Sequence, residues 1–307
     1  MACLHLKGLI AAPHSPFHAD GTLNLAVIEK QAQLLVEGRT SGAFVCGTTG
    51  ENASLSTQER MQVAGRWVEA APPGELPVIV HVGHTSIAES RALAAHAQTI
   101  GAAAISALSP YFFKPGSVTD LVEFCAQVAA AAPELPFYYY HLPGMTGVTF
   151  SMIELIRQAR DRIPTFAGIK YTHNDLKEFQ QCLQLAEESL DILFGRDEIL
   201  MHGFAAGARG AVGSTYNYAA PVYLRLIEAM NAGNLPAARE CQAQAVRMIE
   251  VLRKYGEIPT AKAIMTMLGV PCGPARTPLP KLTDRHTQGI FDELAGLDIF
   301  VRPLRLA

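Results

Sequence analysis

The sequence predicts an α/β protein, a (β/α)8 TIM barrel with a C-terminal helical extension, and three observations carry the prediction. Short apolar runs without polar alternation recur eight times. The gaps between them hold segments of helical period, such as Leu25 to Glu37 and Ile87 to Gln98. The runs start roughly 20 to 35 residues apart, about one right-handed βαβ unit each, and eight such units close a barrel. Runs that do not alternate imply strands buried on both faces, as in parallel sheets. A doubly wound open sheet has the same order of elements and is the second reading. The barrel reading has a functional consequence, because all eight strands then present their C-terminal ends to one mouth.

Each element can be justified in turn. The first run, Gly8 to Ala12, contains the apolar stretch Leu9 to Ala12 behind a single lysine, too short for the core of a secretion signal, so no export is expected. The second, Gly42 to Cys46, leads into Gly47-Thr48-Thr49-Gly50-Glu51. The third, Val78 to Val82, overlaps HVGH, but His81 and His84 have no acid or third ligand nearby in sequence, and no metal is expected there. The fourth, Ala102 to Ala107, lies in a charge-free stretch from Ala92 to Phe113. His96, Gln98, Gly101, Ser106, Ser109 and Pro110 break that stretch, which reads as helix, turn and buried strand and not as a membrane span. The fifth run is Phe137 to Tyr140, the sixth Phe166 to Ile169, the seventh Ile192 to Phe194 and the eighth Ala211 to Gly213.

Beyond them, Pro221 to Ala307 has helical periodicity (Leu224, Ile227, Met230; Ala245, Met248, Val251, Leu252) and then a Pro/Gly-rich stretch from Pro271 to Pro280. No Ser/Gly linker separates the parts. Residues 1–307 therefore read as one domain, with a barrel core of about 1–220 and helices of about 221–307 that complete and flank it.

Composition limits the partners. Of 307 residues, 25 are Lys or Arg and 28 Asp or Glu, a net charge of -3 without the basic surface that attracts phosphate backbones or anionic lipid. No nucleic acid and no membrane is expected as a partner. The charged share is 17%, well under the usual quarter or so, which places much of the chain out of water. Cys3, Cys46, Cys125, Cys182, Cys241 and Cys272 form no CxxC pair and read as reduced core thiols of a cytoplasmic protein.

The candidate chemistry sits at the strand ends. Lys170 closes TFAGIK, where a buried strand emerges at the mouth. Desolvation lowers the pKa of a lysine amine and leaves it able to attack a carbonyl, although a strand-end lysine can also simply reach for solvent. Tyr140 closes a run one strand earlier, and a phenol beside an imine can move protons. Tyr138, Tyr139 and Tyr140 are equally strand-forming aromatics. Thr48 and Thr49 between glycines offer O–H and N–H donors to a carboxylate. The other reading makes them helix caps and Glu51 a solvated first-turn acid. Asp197 and Glu198 after the seventh strand can accept sugar hydroxyls, or serve a helix N-terminus. The glycines of GARGAVGS fit a phosphate only weakly, since no lysine or arginine follows at once. His141 and His173 stand next to the candidates in the chain.

The segments GTTGE, YYYHLPGMTGV, GIKYT, FGRDEIL and AVGSTYNY, in this order and spacing, resemble the N-acetylneuraminate lyases (sialic acid aldolases) over almost the whole chain. These are members of a pyruvate-dependent class I aldolase family that also includes dihydrodipicolinate synthase. The resemblance implies a barrel of the kind already read from the strands, an imine-forming Lys170, a proton-transferring Tyr140, and Thr48 and Thr49 on the pyruvate carboxylate. It places Thr172, Gly195, Asp197, Glu198 and Ser214 against the hydroxylated part of the sugar. It implies cleavage of sialic acid to N-acetylmannosamine and pyruvate without a metal or organic cofactor, and a homotetramer.

Two positions separate members of the family. Where the synthases carry an arginine for a second carboxylate, YHLPGMTG has Met145, and where they typically have alanine this chain has Thr172. Both favour a polyol substrate. In SPYFFKP, Phe112 and Phe113 stand around the place where many bacterial relatives carry a tyrosine that reaches a neighbouring site, with Tyr111 slightly before it, a departure from that pattern. The alternatives are another pyruvate aldolase acting on a 2-keto-3-deoxy sugar acid, less favourably a dihydrodipicolinate synthase, or a barrel that binds a sugar acid without turnover.

Overall fold

The structure, a computed structural model, describes residues 5–306; Cys3 lies outside them. Strands β1 (Gly8–Ala11), β2 (Gly42–Val45), β3 (Val78–His81), β4 (Ala104–Leu108), β5 (Phe137–His141), β6 (Phe166–Tyr171), β7 (Asp191–Phe194) and β8 (Gly210–Gly213) form one parallel sheet in sequence order. The sheet closes where β8 pairs with β1, from Gly8 opposite Gly210 to Ala11 opposite Gly213. Closure excludes the open doubly wound sheet.

Side chains alternate across a strand, and in this sheet both directions are dry. Ile10, Phe44, Ile79, Tyr138, Leu193 and Val212 point inward and fill the barrel. Their neighbours Leu9, Val45, Val80, Tyr139, Ile169 and Phe194 point outward into the larger core under the helices. This is why the strands lack a polar face in the sequence. At the N-terminal end the inward Tyr138 hydroxyl donates to Asp191 Oδ2 at 2.8 Å.

The outer layer is α1 (Val27–Glu37), α2 (Thr57–Ala70), α3 (Ile87–Thr99), α4 (Val118–Ala129), the single turn α5 (Pro143–Thr146), α6 (Met152–Arg162), α7 (Leu176–Ala186), the short α8 (Leu200–Ala205) and α9 (Tyr216–Asn231). Starts are set by side-chain caps: Ser56 with Glu59 makes a capping box at α2, and Ser117 and Asp175 accept from the third N–H of α4 and α7. Helix α9 packs on α1 and β1 and closes the ring. It bends at Ala219, two residues before Pro221, whose ring removes a helical N–H.

Three further helices follow, α10 (Leu235–Tyr255), α11 (Glu257–Met267) and α12 (Asp284–Leu294). The long α10 lies against α9 and reaches the mouth of the barrel. There the Gln242 amide donates to the Asp197 carbonyl at 3.1 Å and accepts from the Met201 N–H at 2.9 Å. Among the described residues no helix is long and apolar enough to cross a membrane.

Candidate active site

At the C-terminal ends of the strands lies a cavity of about 670 Å3. Its wall includes all nine residues singled out from the sequence: Thr48, Thr49, Tyr140, Lys170, Thr172, Gly195, Asp197, Glu198 and Ser214. Register brings the first pair together, since Tyr140 of β5 stands directly opposite Lys170 of β6. Both lie inside their strands, one residue before the end.

Lys170 is only 4% exposed. Its Nζ lies 4.1 Å from the centre of the Phe44 ring and 4.0 Å from that of Tyr140. Burial pushes its pKa below the ordinary lysine value, while Tyr140 and the charge of Asp197 oppose the shift. The Tyr140 hydroxyl is 3.4 Å from Thr48 Oγ1, so the phenol bridges the lysine and the two-threonine turn.

That turn is fixed from below. Ser15 Oγ donates to the Gly50 carbonyl at 2.7 Å. Glu51 is buried, not solvated as the helix-cap reading has it, and adopts a left-handed backbone at φ 56°. Its carboxylate pairs with Lys262 of α11 at 2.5 Å, both side chains 1% exposed, and accepts from the Arg276 N–H at 2.8 Å. No threonine side chain caps the 3-10 turn at 52–54.

The opposite wall carries the acids. Asp197 Oδ2 accepts from the Thr215 hydroxyl at 2.6 Å and the Thr215 N–H at 3.1 Å, and burial raises its pKa. Gly213 and Gly195 permit this wall: a Cβ on Gly213 would strike the Asp197 carboxylate, and one on Gly195 the Thr172 hydroxyl. The Thr172 hydroxyl is buried without a protein partner and lines the cavity. Glu198 Oε1 meets Arg196 at 2.7 Å and Arg253 of α10 at 2.8 Å. Sequence reasoning missed Arg253, Leu252 and Glu257, which reach the wall from the C-terminal helices. No strand-end signal marks them.

Of the remaining sequence candidates, His173 and Met145 also line the cavity and the others lie outside it. His81 is buried behind Phe44, 3.1 Å from the Cys46 carbonyl and 3.4 Å from Arg60, and burial keeps it neutral. His141 and His173 face each other beside the cavity, and burial with its neighbour lowers His141 to about 3. Met145 is exposed on the rim. Phe112 and Phe113 are 75% and 86% exposed, and Tyr111 41%.

A TIM barrel with a strand-end cavity built around a desolvated lysine, a tyrosine and a hydroxyl-bearing turn defines the class of this molecule. The chain belongs to the dihydrodipicolinate synthetase family, whose family model matches residues 5–295. It is 43% identical to N-acetylneuraminate lyase of Mus musculus over 302 residues, covering 97% of this chain and 94% of the relative. It is 42% identical to the Homo sapiens N-acetylneuraminate lyase, covering 95% and 93%. Among solved structures, the Proteus mirabilis N-acetylneuraminate lyase superposes with a TM-score of 0.93 at 43% identity, covering 96% of this chain and 99% of that one. The Aliivibrio salmonicida sialic acid aldolase superposes with a TM-score of 0.93 at 42% identity, covering 97% and 98%.

Proposed function

We propose that this chain is an N-acetylneuraminate lyase, a carbon-carbon lyase that cleaves sialic acid to N-acetylmannosamine and pyruvate through a lysine Schiff base. The observation that carries the reading is the pairing of buried Lys170 with Tyr140 in one cavity, across from the Thr48-Thr49 turn. The full-length similarity to lyases of that name supports the substrate.

The neutral Lys170 amine attacks the C2 ketone of the open-chain sugar acid, whose carboxylate is held by the hydroxyls and N–H groups of Thr48 and Thr49. The carbinolamine loses its hydroxyl as water, with the Tyr140 phenol passing the proton. The protonated imine then draws the electron pair of the C3–C4 bond as the C4 hydroxyl loses its proton and becomes the aldehyde of N-acetylmannosamine. Protonation of the enamine at C3 and hydrolysis of the imine return pyruvate and free Lys170. Thr172, Gly195, Asp197, Glu198 and Ser214 hold the hydroxylated arm, the buried Thr172 hydroxyl being the clearest unpaired group. Met145 puts no cation where a second carboxylate would need one.

A homotetramer and a cytoplasmic location belong to the same reading. The exposed Phe112 and Phe113 support a subunit contact, and the free Cys46, Cys125, Cys182, Cys241 and Cys272 a reducing environment. Pyruvate release measured across a panel of sugar acids tests the activity. Turnover of N-acetylneuraminate above 2-keto-3-deoxy sugar acids, lost in Lys170→Ala, is expected. Preference for a 2-keto-3-deoxy acid would move the assignment to another pyruvate aldolase, and binding without turnover would sink it.

A further inference from the structure

Beside the sugar cavity, the ends of β5 and β6 and the first turn of α7 carry a second cluster that the cleavage chemistry does not use. His141 follows Tyr140, His173 follows Thr172, and Glu178 stands on α7. One ligand atom from each lies within 4.8 Å of the other two, and no other such trio of His, Cys, Asp or Glu occurs among the described residues. The two rings stand 5.6 Å apart with planes at 85°.

Two features point to a ligand at this cluster. Nδ1 of His141 and Nδ1 of His173 are both buried and have no hydrogen-bond partner, and His141 as a residue is only 2% exposed. Buried polar nitrogens are almost always satisfied, so two left open side by side mark the place of an absent partner. The carboxylate, moreover, is already oriented: Glu178 accepts from the Tyr171 hydroxyl at 2.9 Å and from the Met152 N–H at 2.9 Å. Fixed outer hydrogen bonds of this kind hold ligating carboxylates in place.

We propose that His141, His173 and Glu178 form a binding site for one divalent transition-metal ion of the zinc class. Two imidazoles and a carboxylate are a ligand set that zinc takes with a fourth, open position. Bond lengths of about 2.0–2.1 Å bring tetrahedral ligand atoms to about 3.3 Å from one another, so binding draws the trio closer together. His173 lines the sugar cavity, which gives the ion a route in.

The test uses untagged full-length protein stripped with a chelator, equilibrium dialysis against zinc chloride, and elemental analysis. Wild type is expected to hold one zinc per chain. His173→Ala and Glu178→Gln, with unfolding transitions checked against wild type, are expected to bind at least about 10-fold more weakly. Cobalt in place of zinc should give visible d–d bands of four-coordinate intensity in wild type and not in either variant. Absence of stoichiometric zinc overturns the proposal. So does equal binding by His173→Ala, which would assign the ion to another histidine.

Discussion

Lys170 is a charged residue placed where charge is costly, between two aromatic rings and 4% exposed. Desolvation favours its neutral form, and the π-faces and Asp197 pull the other way, so its amine is tuned and not merely buried. Tyr140→Phe keeps the ring over Nζ and removes only the hydroxyl near Thr48. Its kcat for pyruvate release is expected to fall by about 10^2- to 10^4-fold with a smaller change in KM. Wild-type kcat in that variant would remove Tyr140 from the chemistry. Both residues were legible in the sequence because each ends an apolar run, and strand ends are where a barrel works. Glu198 was legible only in part. Its position is visible after the seventh strand, but its pairing with Arg196 and with Arg253, 55 residues away on a helix outside the repeat, is not.

At the level of elements, the Thr48-Thr49 turn depends on a helix far along the chain. Glu51 anchors the turn through its buried contact with Lys262 of α11. A buried pair broken on one side leaves an uncompensated charge. Lys262→Met is therefore expected to lower stability by about 3–5 kcal/mol in urea unfolding and to raise KM for pyruvate in the condensation direction. The Glu51→Gln/Lys262→Met double variant should recover stability, because neither side chain then carries a charge. An unchanged midpoint and KM in Lys262→Met would contradict the anchoring role. From sequence, Glu51 reads only as a solvated first-turn acid because its partner is remote, and period and propensity carry no signal for a contact between positions 51 and 262.

At the scale of the whole molecule, the barrel was readable because its strands are dry on both faces, while the C-terminal helices seat on apolar side chains such as Met248, Leu252, Ile264 and Met265 and are pinned in place by polar contacts to remote parts of the chain. Arg276 is one of these fasteners. In the Pro/Gly-rich stretch, it donates to Glu59 of α2 at 2.5 Å and to the Ser54 carbonyl at 2.9 Å. The guanidinium holds Glu59 down from an ordinary 4.5 to about 2. A depressed folded-state pKa stabilises fully above the unfolded value and is lost as pH falls through the folded one. The gap in urea midpoint between wild type and Glu59→Gln should therefore be widest above about pH 4.5 and close towards pH 2. A gap independent of pH would assign the effect to packing. The closed barrel also delivers residues from positions 48 to 214 to one amine, and the chemistry rests on that convergence. Its most direct measurement is borohydride reduction of the whole protein in the presence of pyruvate, followed by peptide mass spectrometry. A single reduced carboxyethyl adduct on Lys170, absent without pyruvate, is expected; active protein with Lys170 unmodified, or with the adduct on another lysine, would rule out Lys170 as the imine-forming residue.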